Sequence, residues 1–73
     1  MDNKEEDKAR KNVGDQLKEH REKLGLTQAE LAAKAKVNSN YYSRVERGEA
    51  SLSYIKMNRV LKVLGIEKLL DIS

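Results

Sequence analysis

The chain has 73 residues, with no cysteine, proline, tryptophan or phenylalanine and a single histidine. That leaves room for one small domain and excludes disulfides, thiolate metal sites and a zinc site built on histidine alone; no cofactor is expected. Charged residues make up 37% and the net charge is +3, so a polyanionic partner is permitted but not demanded.

In chain order, residues 1–11 form a charged N-terminal arm without the apolar stretch of a signal peptide. Pairs at helical spacing, Glu6–Arg10 and Asp7–Lys11, allow the arm either to extend the first helix or to fray. Fraying is the expectation for its first eight or so residues. No apolar run approaches membrane-spanning length, so a cytoplasmic protein with no membrane partner is expected.

The first helix is expected over 12–24, with Val13, Leu17, Leu24 and the edge of His20 on one face. Thr27-Gln28-Ala29-Glu30 has the spacing of a capping box and opens a second helix, 28–35, whose apolar face is Leu31, Ala32 and Ala35. Asn38 is a good N-cap for a third, 39–47, and Ser51 or Ser53 for a fourth, 53–64. In the fourth, Tyr54, Met57, Val60, Leu61 and Leu64 share the inward face. Gly25, Gly48 and Gly65 stand where left-handed C-terminal caps are wanted. A last segment, 66–71, reads as a short fifth helix. With no alternating strand pattern, the expected fold is all-α, a compact five-helix bundle over residues 12–73.

The third helix carries the functional signal. With residues about 100° apart, Tyr42 and Val45 face the core. Ser39, Asn40, Ser43, Arg44 and Arg47 occupy the opposite arc, without an acid or a large apolar group. Amides pair bidentately with adenine and guanidiniums with guanine, so this face suits the edges of base pairs. An ordinary solvated helix face has the same composition, and the arc alone does not separate the two. The small residues Ala32 and Ala35 let the second and third helices cross steeply.

Leu26-Thr27-Gln28-Ala29-Glu30-Leu31-Ala32, then Val37, then Val45-Glu46-Arg47-Gly48, resembles the helix-turn-helix of the phage repressor and Cro (Xre-type) regulators. The likeness runs from about Val13 to Ile66. It implies a central helix-turn-helix of the lambda-repressor-like kind that reads double-stranded DNA in the major groove. Ser39, Asn40, Ser43 and Arg44 match the positions that reach base edges. Gln28 matches one that grips a phosphate, and Asn38 one that caps the recognition helix near the DNA backbone. Arg47 would sit over a phosphate at its far end. Thr27 would act mainly as a cap and secondarily as a phosphate contact, and Tyr41 would touch a phosphate or simply pack.

The resemblance also pairs Arg21 with Glu46, both of which border apolar faces. A partly buried bidentate ion pair between the first and third helices is expected, as a structural element and not a DNA contact. Two positions depart from the family pattern. Lys36 occupies a turn position that is often glycine, and would cost about 1 kcal/mol if left-handed. Glu49 stands where a basic residue is common, so fewer phosphate contacts are expected from its loop.

Ile66, Leu69, Leu70 and Ile72 are more apolar side chains than a core of this size can hide; Leu69 and one neighbour are expected to pack inward, and the remainder reads as an interface patch. The resemblance implies that this segment, with contributions from helix 4, is a homodimer interface; the alternative is a monomer in which it is the last core helix. A dimer places two recognition helices one DNA turn apart on a near-palindromic operator. The expected function is therefore control of transcription by a bacterial or phage-encoded protein. It would repress by blocking RNA polymerase, or contact the polymerase from a neighbouring site, and the length suits a restriction-modification controller. The alternative is a protein–protein module, such as an antitoxin-like partner of another protein. His20 has no histidine or cysteine to partner it, and no nucleophile motif or phosphate loop is present, so no enzyme is expected.

Overall fold

The structure, a computed structural model, describes residues 3–70. Its helices are α1 (Asn3–Lys23), α2 (Gln28–Ala35), α3 (Ser39–Glu46) and α4 (Tyr54–Leu64). There is no strand among the described residues. Helix α1 packs on α3, and α2 packs on both α3 and α4. Leu17, Leu31, Tyr42, Val45 and Val60 fill the centre with their side chains fully buried, and Ala32 and Ala35 keep the crossings close.

Among the described residues there are four helices rather than the expected five. Residues 66–70 are not helical. Gly65, left-handed with φ 75°, ends α4, and Ile66 N–H bonds back to the Leu61 carbonyl. A segment this short cannot sustain a helix without tertiary help. Leu70 instead gives its backbone groups to Gln16: its N–H donates to Gln16 Oε1 at 2.7 Å, and its carbonyl accepts from Gln16 Nε2 at 2.9 Å.

At the other end, α1 begins at Asn3 instead of residue 12. Side-chain pairs within the helix, Asp7–Arg10 and Lys11–Asp15, support the added turns. So does a tertiary contact, in which Arg10 Nε donates to the Gly48 carbonyl at 3.4 Å, just past the C-terminus of α3.

Two apolar side chains expected to face inward do not. Leu24 follows the last turn of α1 and is 52% exposed, while Tyr54, first residue of α4, is 82% exposed. Both lie where a helix meets its cap and no second element covers them. Leu52, in the loop before α4, packs against the core instead, while Ile55 is exposed.

The turn between α2 and α3 is tight. Val37 N–H bonds to the Ala32 carbonyl and Lys36 N–H to Ala33, with Lys36 left-handed at φ 58° and Val37 buried. Arg59 of α4 then donates from Nε to the Ala35 carbonyl at 2.9 Å, placing a guanidinium on the negative end of α2.

Candidate nucleic-acid interface

Helix α3 is aimed by its ends. Asn38 Oδ1 accepts from Tyr41 N–H at 2.9 Å as the N-cap. At the far end Gly48 N–H bonds to the Val45 carbonyl and Glu49 N–H to the Arg44 carbonyl, a Schellman closure around the left-handed Gly48. Between the caps, Tyr42 and Val45 are buried, whereas Ser39, Asn40, Arg44 and Arg47 are exposed and Ser43 is half-buried.

Beneath that face lies a polar network spanning three helices. Arg21 Nε donates to Glu46 Oε2 at 2.7 Å, and Arg21 Nη2 to Glu46 Oε1 at 3.0 Å. Both residues are buried, and Arg21 Nη1 also donates to the Leu26 carbonyl at 2.7 Å. Gln28 Nε2 donates to Glu46 Oε1 at 2.9 Å, and Gln28 Oε1 accepts from Ser43 Oγ at 2.7 Å. The chain Arg21–Glu46–Gln28–Ser43 thus fixes α1, the start of α2 and α3 relative to one another.

Burial alone would raise the Glu46 carboxyl pKa, but the hydrogen bonds it accepts, led by that from Arg21, outweigh burial and hold it below its ordinary 4.5. Arg21 is raised by the same hydrogen bond. The Tyr42 hydroxyl is buried beside this carboxylate without a well-formed hydrogen bond, and burial, followed by the nearby Glu46, pushes its phenol pKa upward.

Residues around α3 divide by what they already hold. Thr27 caps α2, with Oγ1 accepting from Glu30 N–H at 3.0 Å and its own N–H donating to Glu30 Oε1 at 2.8 Å. The amide of Gln28 is turned inward onto Glu46 and Ser43, so one amide hydrogen is left for an outside acceptor. Tyr41 donates its hydroxyl to the Ser51 carbonyl, which ties α3 to the following loop, and Lys56 Nζ of α4 lies 5.6 Å from its ring centre. Arg47 donates from Nε and Nη2 to both carboxylate oxygens of Glu49, at 3.0 and 3.3 Å.

The pairing of Glu49 with the arginines, the Gln28–Ser43 bond and the Gln16–Leu70 clasp were not anticipated from the sequence. Only the first had a local signal: Glu49 follows Arg47 across a glycine suited to reversing the chain. At the C-terminus, Ile66 and Leu69 are half-buried against the core and Leu70 is 79% exposed, while Ile72 lies outside the described residues. Among the described residues no group of three or more His, Cys, Asp or Glu side chains could hold a metal, and no helix is long and apolar enough to cross a membrane.

Residues 17–70 match the family described as Helix-turn-helix, HTH_3. This chain belongs to the helix-turn-helix family of DNA-binding transcriptional regulators, of the Xre/Cro type. Over 56 residues it is 41% identical to an uncharacterized HTH-type transcriptional regulator of Methanothermobacter thermautotrophicus, covering 77% of this chain and 81% of that protein. Among solved structures it is similar to the restriction-modification controller protein C.AhdI of Aeromonas hydrophila. The TM-score is 0.78 at 30% identity, over 81% of this chain and 89% of that one. It is also similar to the clp gene regulator ClgR of Corynebacterium glutamicum, with a TM-score of 0.75 at 33% identity, over 78% of this chain and 61% of ClgR. A member of this family is a regulator rather than an enzyme. In helix-turn-helix terms, α2 and α3 are the motif, and α3 is the recognition helix.

Proposed function

We propose that this regulator is a homodimeric repressor that reads a near-palindromic operator through α3. The observation that carries the reading is the outer arc of α3, where Ser39, Asn40 and Arg44 stand exposed over the Arg21–Glu46–Gln28–Ser43 network. A rigid underside matters because a side chain reads a base edge only when its backbone is held within hydrogen-bonding tolerance. In this reading Asn40 and Arg44 make the bidentate base contacts, and Ser39 and Ser43 supply single hydrogen bonds. The N-terminus of α2, with Thr27 and the free amide hydrogen of Gln28, receives one phosphate. Arg47 and the backbone near Asn38 receive others. Tyr41 serves by packing, because its hydroxyl is spent on the loop.

The dimer reading is supported by exposed Leu70 beside the half-buried Ile66 and Leu69, with Tyr54 and Ile55 of α4 as further uncovered apolar surface. The likeness in fold to a restriction-modification controller protein supports the regulatory part of the reading. Selection of bound duplexes from random DNA tests the whole reading. A two-fold symmetric consensus is expected. An asymmetric half-site would remove the dimer, and no enrichment would remove the groove reading. Leu70→Glu is expected to shift the protein toward monomer in analytical ultracentrifugation while leaving helix content unchanged.

A further inference from the structure

The recognition face gains one acid from outside α3, whose own acid, Glu46, is buried on the other side. The Schellman closure at Gly48 turns the chain back, and Glu49 comes to lie over the last turn of α3. Its carboxylate meets Arg47 through both oxygens, at 3.0 and 3.3 Å, and Oε1 stands 3.8 Å from Arg44 Nε. This is the fork geometry with which a guanidinium also takes a phosphate or a guanine. The side chains of Arg44, Arg47 and Glu49 are each about half exposed, at 52%, 56% and 52%, so the arrangement is open to exchange with an incoming duplex.

We propose that Glu49 is a specificity-determining residue, which occupies Arg44 and Arg47 in the free protein and withholds them from DNA phosphates until a matching site displaces it. The proposal rests on the DNA-reading role of α3. Non-specific binding is an electrostatic sum over phosphates, so an acid that occupies two of the arginines on the contact face subtracts directly from it. A bidentate guanine contact in the groove replaces the carboxylate with an equally well-shaped acceptor, whereas a lone phosphate approaches an arginine already held by a like-charged competitor. Arg47, then Arg44, keeps the Glu49 carboxyl below its ordinary value, so the competitor is ionised at neutral pH.

Two measurements on the purified chain test this. In the free protein, the Arg44 and Arg47 Nε–H resonances should move as pH falls through the Glu49 titration, and should stay still in Glu49→Gln. Unmoved wild-type resonances overturn the proposal without reference to DNA. In binding titrations from 50 to 200 mM salt, Glu49→Gln should tighten random-duplex binding by roughly three- to tenfold and steepen its salt slope by about one. The selected site should gain less, so the specificity ratio falls. A wild type that selects a site but is matched by Glu49→Gln in random-duplex binding overturns this inference alone. A wild type that prefers no duplex overturns the DNA reading, and this role of Glu49 with it.

Discussion

Gly14 of α1 lies so close to the main chain of Glu46 that a β-carbon added there would stand 2.4 Å from the Glu46 carbonyl oxygen and 2.6 Å from that of Val45. The neighbour is backbone, so no rotamer change relieves the contact. Helix α1 therefore rides directly on the last turn of the recognition helix, and the buried Arg21–Glu46 pair sits further along the same crossing.

Gly14→Ala is expected to destabilise the protein even though alanine is the better helix former. The propensity gain is about 1 kcal/mol, and overpacking against a fixed backbone costs about 1–3 kcal/mol or more. Urea denaturation checks the sign. A more stable alanine variant would mean that α1 and α3 are further apart than described.

Arg21→Ala leaves Glu46 buried and unpaired, a loss of about 3–5 kcal/mol. For a domain of this size that is a large share of the total, of order 0.05–0.15 kcal/mol per residue. Substitution of both partners by methionine should recover much of the loss, since the charge and its orphaned partner leave together. Denaturation of the single and double variants measures the coupling.

The same pair sets an acid limit. Glu46 has a folded pKa below its ordinary 4.5, so its contribution is fully present above that value and is lost as pH falls through the lower, folded one. Melting temperature should therefore drop below about pH 4.5. Glu46→Gln should be less stable at neutral pH and show a shallower acid decline. A parallel decline in both proteins would assign the acid sensitivity to other carboxylates.

Lys36→Gly should stabilise. Lysine at φ 58° carries a left-handed penalty of about 1–2 kcal/mol, and glycine gives back about 0.5–1 kcal/mol in chain entropy. Lys36 also shares one hollow with Lys34, Arg59 and Lys62, so removing its charge relieves repulsion. A rise in melting temperature of about 2–8 °C is expected. An unchanged or lower value would mean that the turn is not held left-handed.

Arg44→Ala should weaken the selected site by about 1–3 kcal/mol and relax preference at one base position. Arg47→Ala should weaken all duplexes alike and lower the salt slope by about one. Repeating the selection with each variant separates the roles. Equal, sequence-independent losses from both would make Arg44 a phosphate contact.

Local chemistry alone was enough to specify the capped helices. Thr27 with Glu30, Asn38, and the glycines at 25, 48 and 65 act over three to five residues, so their consequences are readable from spacing. The outward face of α3 followed from helical period once Tyr42 and Val45 were assigned to the core. Tertiary packing decided the rest. Whether residues 3–11 join α1 depended on Arg10 finding the end of α3, and whether residues 66–70 coil depended on Gln16 taking both backbone groups of Leu70. Gly14 is a poor helix former by itself, and only the second backbone lying against it gives its place a reason. Those outcomes rest on partners tens of residues away, and a one-dimensional pattern records the period of a face but not what will be pressed against it.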